Sequence, residues 1–184
     1  MTKLYLFPLS LRSQIKLVKM NSIRIFSFLL VAVFLFSFQR HGNSPFPAVN
    51  VKTVDGKSVN TMDYLKNKKI TIVSFWATWC TPCKRELDVL NEIYGEWVEN
   101  YDIQLLAITI DDARGLTKVP AMVQTKGWEF TVLADSKQEL MQMLNFQTIP
   151  QTFLLDKEGN IVYTHSGYNP GDELKLEEEI KKLK

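Results

Sequence analysis

The feature that most constrains this chain is a pair of cysteines, Cys80 and Cys83, placed where a buried strand gives way to a helix. The preceding run, Ile70–Phe75, is apolar and rich in β-branched residues, as in a central strand. Apolar residues then recur at helical spacing, which predicts an amphipathic helix that begins near Cys80. Its apolar stripe consists of Leu87, Leu90, Tyr94 and Trp97. A second apolar run, Ile103–Ile110, completes a predicted βαβ unit with two parallel strands.

The flanking segments predict further strands and helices around this unit. Val49–Val59 is expected to form a hairpin that turns at Asp55-Gly56, and a second hairpin is expected to turn through Lys157–Asn160. The other predicted elements are helices at Thr61–Leu65, Thr117–Lys126, Ser136–Leu144 and Asp172–Lys184, and strands at Trp128–Leu133, Thr152–Asp156 and Ile161–His165. A βαβ unit followed by a hairpin and a helix predicts an α/β domain with helices on both faces of a mixed sheet.

The position of the cysteines at a helix start has a chemical consequence. Unpaired N–H groups and the positive end of the helix dipole stabilise an anion there, so a thiolate at Cys80 is favoured. The thiolate is the form that attacks disulfides. The intervening residues, Thr81 and Pro82, allow Cys83 to face Cys80 after one turn and to resolve a mixed disulfide. A buried structural pair and half of a zinc site are the alternatives, but the strand-to-helix context favours redox chemistry.

Glu86 is the third residue singled out for a chemical role. It lies three residues after Cys83 and four before Leu90, so it shares the apolar helix face with both. A carboxylate on that face is expected to be partly buried, to have a raised pKa and to exchange protons with Cys83. The alternative is a surface glutamate that borders the stripe and pairs with Arg85 or a lysine.

Two other positions are candidates for contact with a substrate. Ile149-Pro150 precedes a predicted strand, where a cis peptide would leave the Ile149 backbone free to pair with an extended segment. Proline at a strand's start also suits a purely structural role. Trp79 is expected to cover the dithiol and form a contact surface, whereas Trp76 is expected in the core.

The charge of the chain is unevenly distributed. Residues 1–40 contain six of the 22 basic residues and no acidic residue, which leaves 16 basic against 20 acidic residues in 41–184. The C-terminal part therefore has no basic excess for nucleic acid. The uncharged run 25–38 follows Arg24 and is typical of a secretory signal or a short membrane anchor, with the C-terminal part directed outward. We expect a signal peptide or anchor at 1–40, a linker at 41–48 and a domain at 49–184.

The segment Phe75–Glu86 resembles the active site of TlpA-like thiol–disulfide oxidoreductases of the thioredoxin superfamily. Ile149–Asp156, followed by Gly159 and Gly167, is similar to the cis-proline strand and closing hairpin of that family. The resemblance implies a thioredoxin-like fold with an N-terminal β-hairpin extension and a TlpA-like insertion at Trp128–Leu144. Ordinary thioredoxin has an aspartate where this chain has Ser74, which strengthens the interpretation of Glu86 as the proton-handling acid.

The resemblance also implies roles for individual residues. The family's nucleophile falls on Cys80, its resolving thiol on Cys83, its buried glutamate on Glu86 and its cis-proline on Pro150. It implies a periplasmic-side reductase of protein disulfides, with client proteins in cytochrome c maturation or similar tasks, a membrane electron donor, and no cofactor beyond the Cys80–Cys83 disulfide. A disulfide-installing oxidase is an alternative. A metal-carrying chaperone module is another, although neither His41 nor His165 has a motif spacing to the cysteines.

Overall fold

The computed structural model describes residues 44–184, which form one sheet covered by helices. The expected signal or anchor at 1–40, with its uncharged run 25–38, and the first linker residues, 41–43, lie outside the described residues. Within 44–184, no helix has both the length and the apolar character that crossing a membrane requires.

The strands and helices follow the predicted order along the chain. The strands are β1 (Asn50–Thr53), β2 (Ser58–Asn60), β3 (Ile70–Trp76), β4 (Ile103–Thr109), β5 (Thr131–Ala134), β6 (Gln151–Leu155) and β7 (Ile161–Ser166). The helices are α1 (Thr61–Leu65), α2 (Thr81–Tyr101), α3 (Ala113–Leu116), α4 (Val119–Lys126), α5 (Glu139–Met143) and α6 (Asp172–Lys181).

The sheet is mixed, and β3 lies near its centre. Its strand order is β2-β1-β5-β4-β3-β6-β7, with β3 parallel to β4 and antiparallel to β6. Every residue of β3 is buried, so both faces of the sheet are covered there, as the apolar β-branched run predicts. The inserted strand β5 pairs parallel to β4 and antiparallel to β1, which attaches the N-terminal hairpin to the sheet. The prediction of a thioredoxin-like α/β fold is confirmed.

The long helix α2 carries the predicted stripe on its buried face. Leu87, Leu90 and Trp97 are buried, and Tyr94 is half-buried against Phe130. Full burial of one such leucine contributes about 1.5–3 kcal/mol. The helix ends at Asp102, whose left-handed backbone (φ 52°) returns its N–H to the Val98 carbonyl. The stripe thereby fixes α2 against the sheet and determines which residues of its first turn point inward.

The segment between β4 and β6 departs most from the predicted boundaries. The helix expected at Thr117–Lys126 begins only at Val119, as α4. The short helix α3 before it was not predicted, and Asp112 caps it by accepting from the Arg114 and Gly115 N–H groups. The helix expected from Ser136 begins only at Glu139. Asp135 determines that start, since its carboxylate accepts from the backbone N–H groups of Glu139 and Leu140.

Residues expected in the linker are attached to the last hairpin. Phe46 is 3% exposed and donates its N–H to the Gly159 carbonyl, while the Ile161 N–H bonds to the Ser44 carbonyl. Pro45 forms an isolated bridge with Asn160. The folded part therefore takes in residues 44–48, ahead of the expected start at 49, and the division of the chain before residue 44 stays a prediction.

Candidate active site

Cys80 and Cys83 form a disulfide at the N-terminus of α2. Their Cα atoms are 5.4 Å apart, and Cys80 is the N-cap residue with extended backbone angles. The Cys83 N–H points at Cys80 Sγ from 3.3 Å, so the sulfur occupies the place of a capping oxygen. Pro82 lies in the first turn, where its missing N–H removes no helix bond. This is the placement that the sequence predicts for a stabilised thiolate at Cys80 in the reduced protein.

Cys80 is slightly more exposed to solvent than Cys83. Cys80 is 4% exposed and Cys83 is fully buried. The surface around them is formed by Thr81 and Pro82, which are exposed, and by Trp79, which is 68% exposed. An open indole beside a nearly buried disulfide offers an apolar contact area at the reaction centre. Trp76, by contrast, is fully buried, as predicted for a core residue.

A polar cluster that sequence reasoning missed holds the loop before Cys80. The buried carboxylate of Asp111 accepts hydrogen bonds from the Thr78 N–H and the Thr78 hydroxyl, both at 2.8 Å. Thr109 donates a third bond to it at 2.6 Å. From the helix side, Lys84 Nζ donates to the Thr78 carbonyl at 2.9 Å. Asp111 was the sequence signal that could have indicated this cluster. It follows β4, and neighbouring parallel strands such as β3 and β4 end at the same edge of a sheet.

Glu86 is buried on the side of α2 that faces the sheet, three residues after Cys83. It is 5% exposed, its Oε1 accepts from the Thr152 hydroxyl at 2.7 Å, and its Oε2 accepts from the Ser74 hydroxyl at 3.1 Å. Burial raises the pKa of Glu86 to about 7, against the opposing effect of the two hydroxyl donors. The predictions of burial and of a raised pKa are confirmed, and the surface alternative with Arg85 is wrong. A carboxyl of this kind can hold or release a proton at neutral pH.

Ile149-Pro150 lies at the same end of the sheet as the dithiol. The peptide bond between them is cis, and the next residue, Gln151, pairs with Phe75 near the end of β3. Pro150 is buried and its carbonyl accepts from the Gly167 N–H, whereas Ile149 is half-buried. The register therefore brings the proline segment to the strand end from which the loop to Cys80 departs.

Two cavities adjoin these residues. An open cleft of about 470 Å³ lies beside Thr78 and Trp79, and its far side includes Arg114 and Lys118. A second cavity, of about 10 Å³, lies against Glu86. Within residues 44–184, no group of three or more histidine, cysteine, aspartate or glutamate side chains is arranged to hold a metal ion.

Comparison with known sequences gives a family match and several relatives. The profile of the AhpC/TSA family matches residues 43–164. Thiol-disulfide oxidoreductase ResA of Bacillus anthracis is 30% identical over 137 residues, which cover 74% of this chain and 75% of that protein. Sporulation thiol-disulfide oxidoreductase A of Bacillus subtilis is 31% identical over 131 residues, covering 70% of this chain and 77% of that protein.

Comparison with solved structures agrees with the sequence matches. The solution structure of a thioredoxin-like protein from Porphyromonas gingivalis superposes with a TM-score of 0.68 at 37% identity. The match covers 77% of this chain and 94% of that one. The similarity therefore extends over a stretch about as long as the described domain.

Proposed function

This chain belongs to the AhpC/TSA family of the thioredoxin superfamily and is a thiol–disulfide oxidoreductase, and from that premise we propose that it reduces disulfides of specific proteins outside the cytoplasm. Its relatives confirm the resemblance to TlpA-like enzymes. One observation carries the proposal: the Cys80–Cys83 disulfide lies at the N-terminus of α2, and the first turns of the same helix carry the buried carboxyl group of Glu86.

In the proposed reaction, the Cys80 thiolate begins the exchange. It attacks one sulfur of a client disulfide, forms a mixed disulfide, and releases the other client sulfur as a thiolate that takes a proton from solvent. The N-terminal N–H groups of α2 stabilise the attacking anion, and the 3.3 Å contact from the Cys83 N–H supports this assignment. The greater exposure of Cys80 supports it too, since the attacking sulfur must reach the client.

Cys83 completes the reaction with the help of Glu86. The Cys83 thiol gives its proton to the Glu86 carboxylate, and the resulting thiolate attacks Cys80 Sγ. The Cys80–Cys83 bond forms, and the second client sulfur leaves as a thiolate and is protonated. Two electrons thus pass from the dithiol to the client. The two client sulfurs take their protons from solvent, and the single proton of the Cys80 thiolate–Cys83 thiol pair goes to Glu86. Spacing of three residues on a helix places the Cβ atoms of Cys83 and Glu86 about 5–6 Å apart, which suits a proton transfer directly or through one water.

The client is proposed to bind across the exposed residues beside the disulfide. Trp79 supplies an apolar face, and Thr81 with Pro82 forms the rim of the helix start. Ile149, before Pro150, is proposed to pair through its backbone with an extended client segment. Together these residues would hold one client sulfur in line with Cys80, which lowers the entropic cost of the exchange.

The reductive direction depends on how strongly the Cys80 thiolate is stabilised. Strongly oxidising dithiols owe their potential to a well-stabilised reduced form. Here the two residues between the cysteines, Thr81 and Pro82, are uncharged, and the buried ionisable group three residues after Cys83, Glu86, is an acid. Neither adds positive charge beyond that of the helix terminus. This arrangement favours a reductase over a disulfide-installing oxidase.

The deciding experiment is the equilibrium potential of the Cys80–Cys83 couple. The purified domain is equilibrated with glutathione redox buffers, and the fraction of dithiol is counted by mass after alkylation. A value near that of thioredoxin, about −270 mV, is expected for a reductase. A value near that of DsbA, about −120 mV, would identify an oxidase instead.

The site of action is proposed from the N-terminal segment. The uncharged run 25–38 after Arg24 is proposed to tether the protein or to direct its export, which places the domain on the extracytoplasmic, periplasmic face. There the dithiol would need electrons from a membrane donor, because it returns to the reduced form only by exchange. Clients in cytochrome c maturation would match the TlpA-like resemblance.

A further inference from the structure

Three polar side chains form a row across adjacent strands beneath Glu86. Ser74 of β3 lies opposite Thr152 of β6, and Thr152 lies opposite His165 of β7. Directly opposed residues project to the same face of a sheet, with Cβ atoms about 4.5–5.5 Å apart. The first two donate hydrogen bonds to the Glu86 carboxylate. The third, His165, therefore lies one strand beyond a direct partner of that carboxylate.

A small cavity joins the carboxyl group to the imidazole. Glu86, Thr152 and His165 all line the cavity of about 10 Å³. This is close to the space that one water needs. The cavity continues toward α6, where Asp172 also lines it. Glu86 and His165 thus line the same water-sized cavity.

Asp172 fixes the orientation of the imidazole. His165 Nε2 donates to Asp172 Oδ2 at 3.1 Å, and the same carboxylate accepts from Lys175 Nζ at 2.9 Å and from the Asn169 N–H at 2.8 Å. The Lys175 bond is the main reason that the pKa of Asp172 falls to about 2. The His165 side chain is 26% exposed, so it also reaches solvent. The ring is held between solvent and the buried cavity.

The remaining ionisable groups that line the cavity have other partners or titrate outside the neutral range. Burial raises the pKa of Tyr168 to about 12, and burial also raises the pKa of Tyr163 above its usual value. Glu173 accepts hydrogen bonds from the Gly171 N–H and the Tyr168 hydroxyl. His165 bonds to Asp172 through Nε2, so its second ring nitrogen can exchange a proton, and its side chain also reaches solvent; it is therefore the partner suited to Glu86.

We propose that His165, anchored by Asp172, is a positioning residue for Glu86, and that the two share protons as a coupled pair across the water-sized cavity. When Glu86 takes up a proton from Cys83, the proton passes through the cavity water to the neutral imidazole and from there to solvent. The Glu86–His165 pair takes up one proton from Cys83 and releases one proton to solvent, and no electrons are transferred. The inference rests on the proton role proposed above for Glu86.

The test is a pH titration of the Glu86 carboxyl carbon by NMR in the oxidised protein, in which the cysteines do not titrate. A coupled pair gives two inflections, because the resonance senses both protonation events. His165→Gln is expected to leave a single inflection, displaced upward by about one pH unit because a cationic neighbour is lost. Thr164→Ala, at an exposed position beside His165, and Glu173→Gln are expected to preserve both inflections.

The outcomes separate this inference from the function on which it rests. A single inflection in the wild-type protein would overturn the coupling without any variant, so poor folding of His165→Gln cannot hide the answer. An unchanged midpoint in a folded His165→Gln would overturn it as well. Suppose that one of these two results is found, but Glu86→Gln still alters the pH profile of disulfide exchange. Then only the proposed coupling between Glu86 and His165 is wrong, and the proton role of Glu86 stands. If Glu86→Gln leaves that profile unchanged, the proposed proton role of Glu86 fails first.

Discussion

The Thr152 hydroxyl donates a 2.7 Å hydrogen bond to Glu86 Oε1 and so links the first turns of α2 to a strand 66 residues later in the chain. The Ser74 hydroxyl binds the other carboxylate oxygen from the central strand. Two neutral donors hold a carboxyl group that burial brings to a pKa of about 7. A buried carboxyl group thus lies one helical turn after Cys83, held by hydroxyl donors rather than by a direct ion pair.

The first prediction concerns the reactivity of the dithiol. Glu86→Gln keeps the size and polarity of the side chain but cannot accept the Cys83 proton. The rate at which oxidised glutathione oxidises the reduced protein is expected to lose its rise with pH around pH 7, where Glu86 ionises in the wild type. Stopped-flow tryptophan fluorescence from pH 5 to pH 9 measures this oxidation rate. Overlaid wild-type and variant profiles would show that Glu86 takes no part in proton transfer.

The second prediction concerns stability. The pKa of Glu86 rises from 4.5 to about 7 on folding, so the folded state holds this proton more tightly than the unfolded state. This contribution to the free energy of unfolding is fully present below about pH 4.5 and is lost as pH rises through 7; it amounts to roughly 3 kcal/mol. Because glutamine does not ionise, Glu86→Gln is expected not to lose stability over this pH range. Urea unfolding of the oxidised protein should find the variant more stable than wild type at pH 8, with a much smaller difference at pH 4.

The third prediction removes one donor from the carboxylate. Thr152→Val preserves the shape of the side chain but leaves Glu86 Oε1 without its 2.7 Å bond. Because that bond favours the charged form, its loss should raise the pKa of Glu86 further. The pH midpoint of disulfide exchange should move upward. Thr164→Val makes the same change at an exposed position of β7 and should leave the midpoint in place. A downward shift for Thr152→Val would contradict the argument.

Local sequence patterns were enough to predict the centre of the site. The cysteine pair follows a β-branched run, and the apolar stripe of α2 determines which side of the helix is buried, so Glu86 could be placed inside. The segment after β4 was harder to predict, because the starts of α3 and α5 depend on backbone N–H groups that bond to the Asp112 and Asp135 carboxylates, which periodicity does not reveal.

Contacts between distant segments could not be predicted in the same way. Asp111 binds Thr78 across 33 residues, and the partnership of His165 with Asp172 depends on where α6 meets β7. The attachment of Phe46 to Gly159 likewise requires the register of the last hairpin. Each of these contacts depends on the strand order and helix packing of the complete fold, which local sequence patterns do not determine.

The fourth prediction concerns topology. The basic flank before residue 25 and the uncharged run 25–38 predict that the domain is exported. An alkaline phosphatase, which folds only outside the cytoplasm, is expected to be active when fused after Lys184 in a bacterial host. Replacing Leu30 and Val33 with arginine in that fusion should abolish the activity, since charges in the run oppose membrane insertion. Activity of a cytoplasm-dependent reporter at Lys184 would contradict the proposed location.

The fifth prediction assigns the two thiols. Cys80 caps α2 and retains some exposure, whereas Cys83 is fully buried next to the acid Glu86. Cys80 should therefore be the first to react with iodoacetamide in the reduced protein near neutral pH. Cys83→Ala should accumulate long-lived mixed disulfides with clients, because no thiol remains to resolve them. Cys80→Ala should accumulate few or none, since the remaining thiol is buried.

Non-reducing electrophoresis of cells expressing each variant, after acid quenching, measures the trapped species. The double variant, with both cysteines replaced by alanine, gives the background of unrelated disulfides. Trapping by Cys80→Ala but not by Cys83→Ala would reverse the assignment, and the helix terminus would then not be what activates the nucleophile. If neither variant traps a client under conditions in which the wild type is oxidised and reduced, the exchange does not pass through a mixed disulfide at this pair. Trapping by Cys83→Ala alone would fix Cys80 as the attacking sulfur, because only an accessible thiolate can form the intermediate that the missing thiol would have resolved.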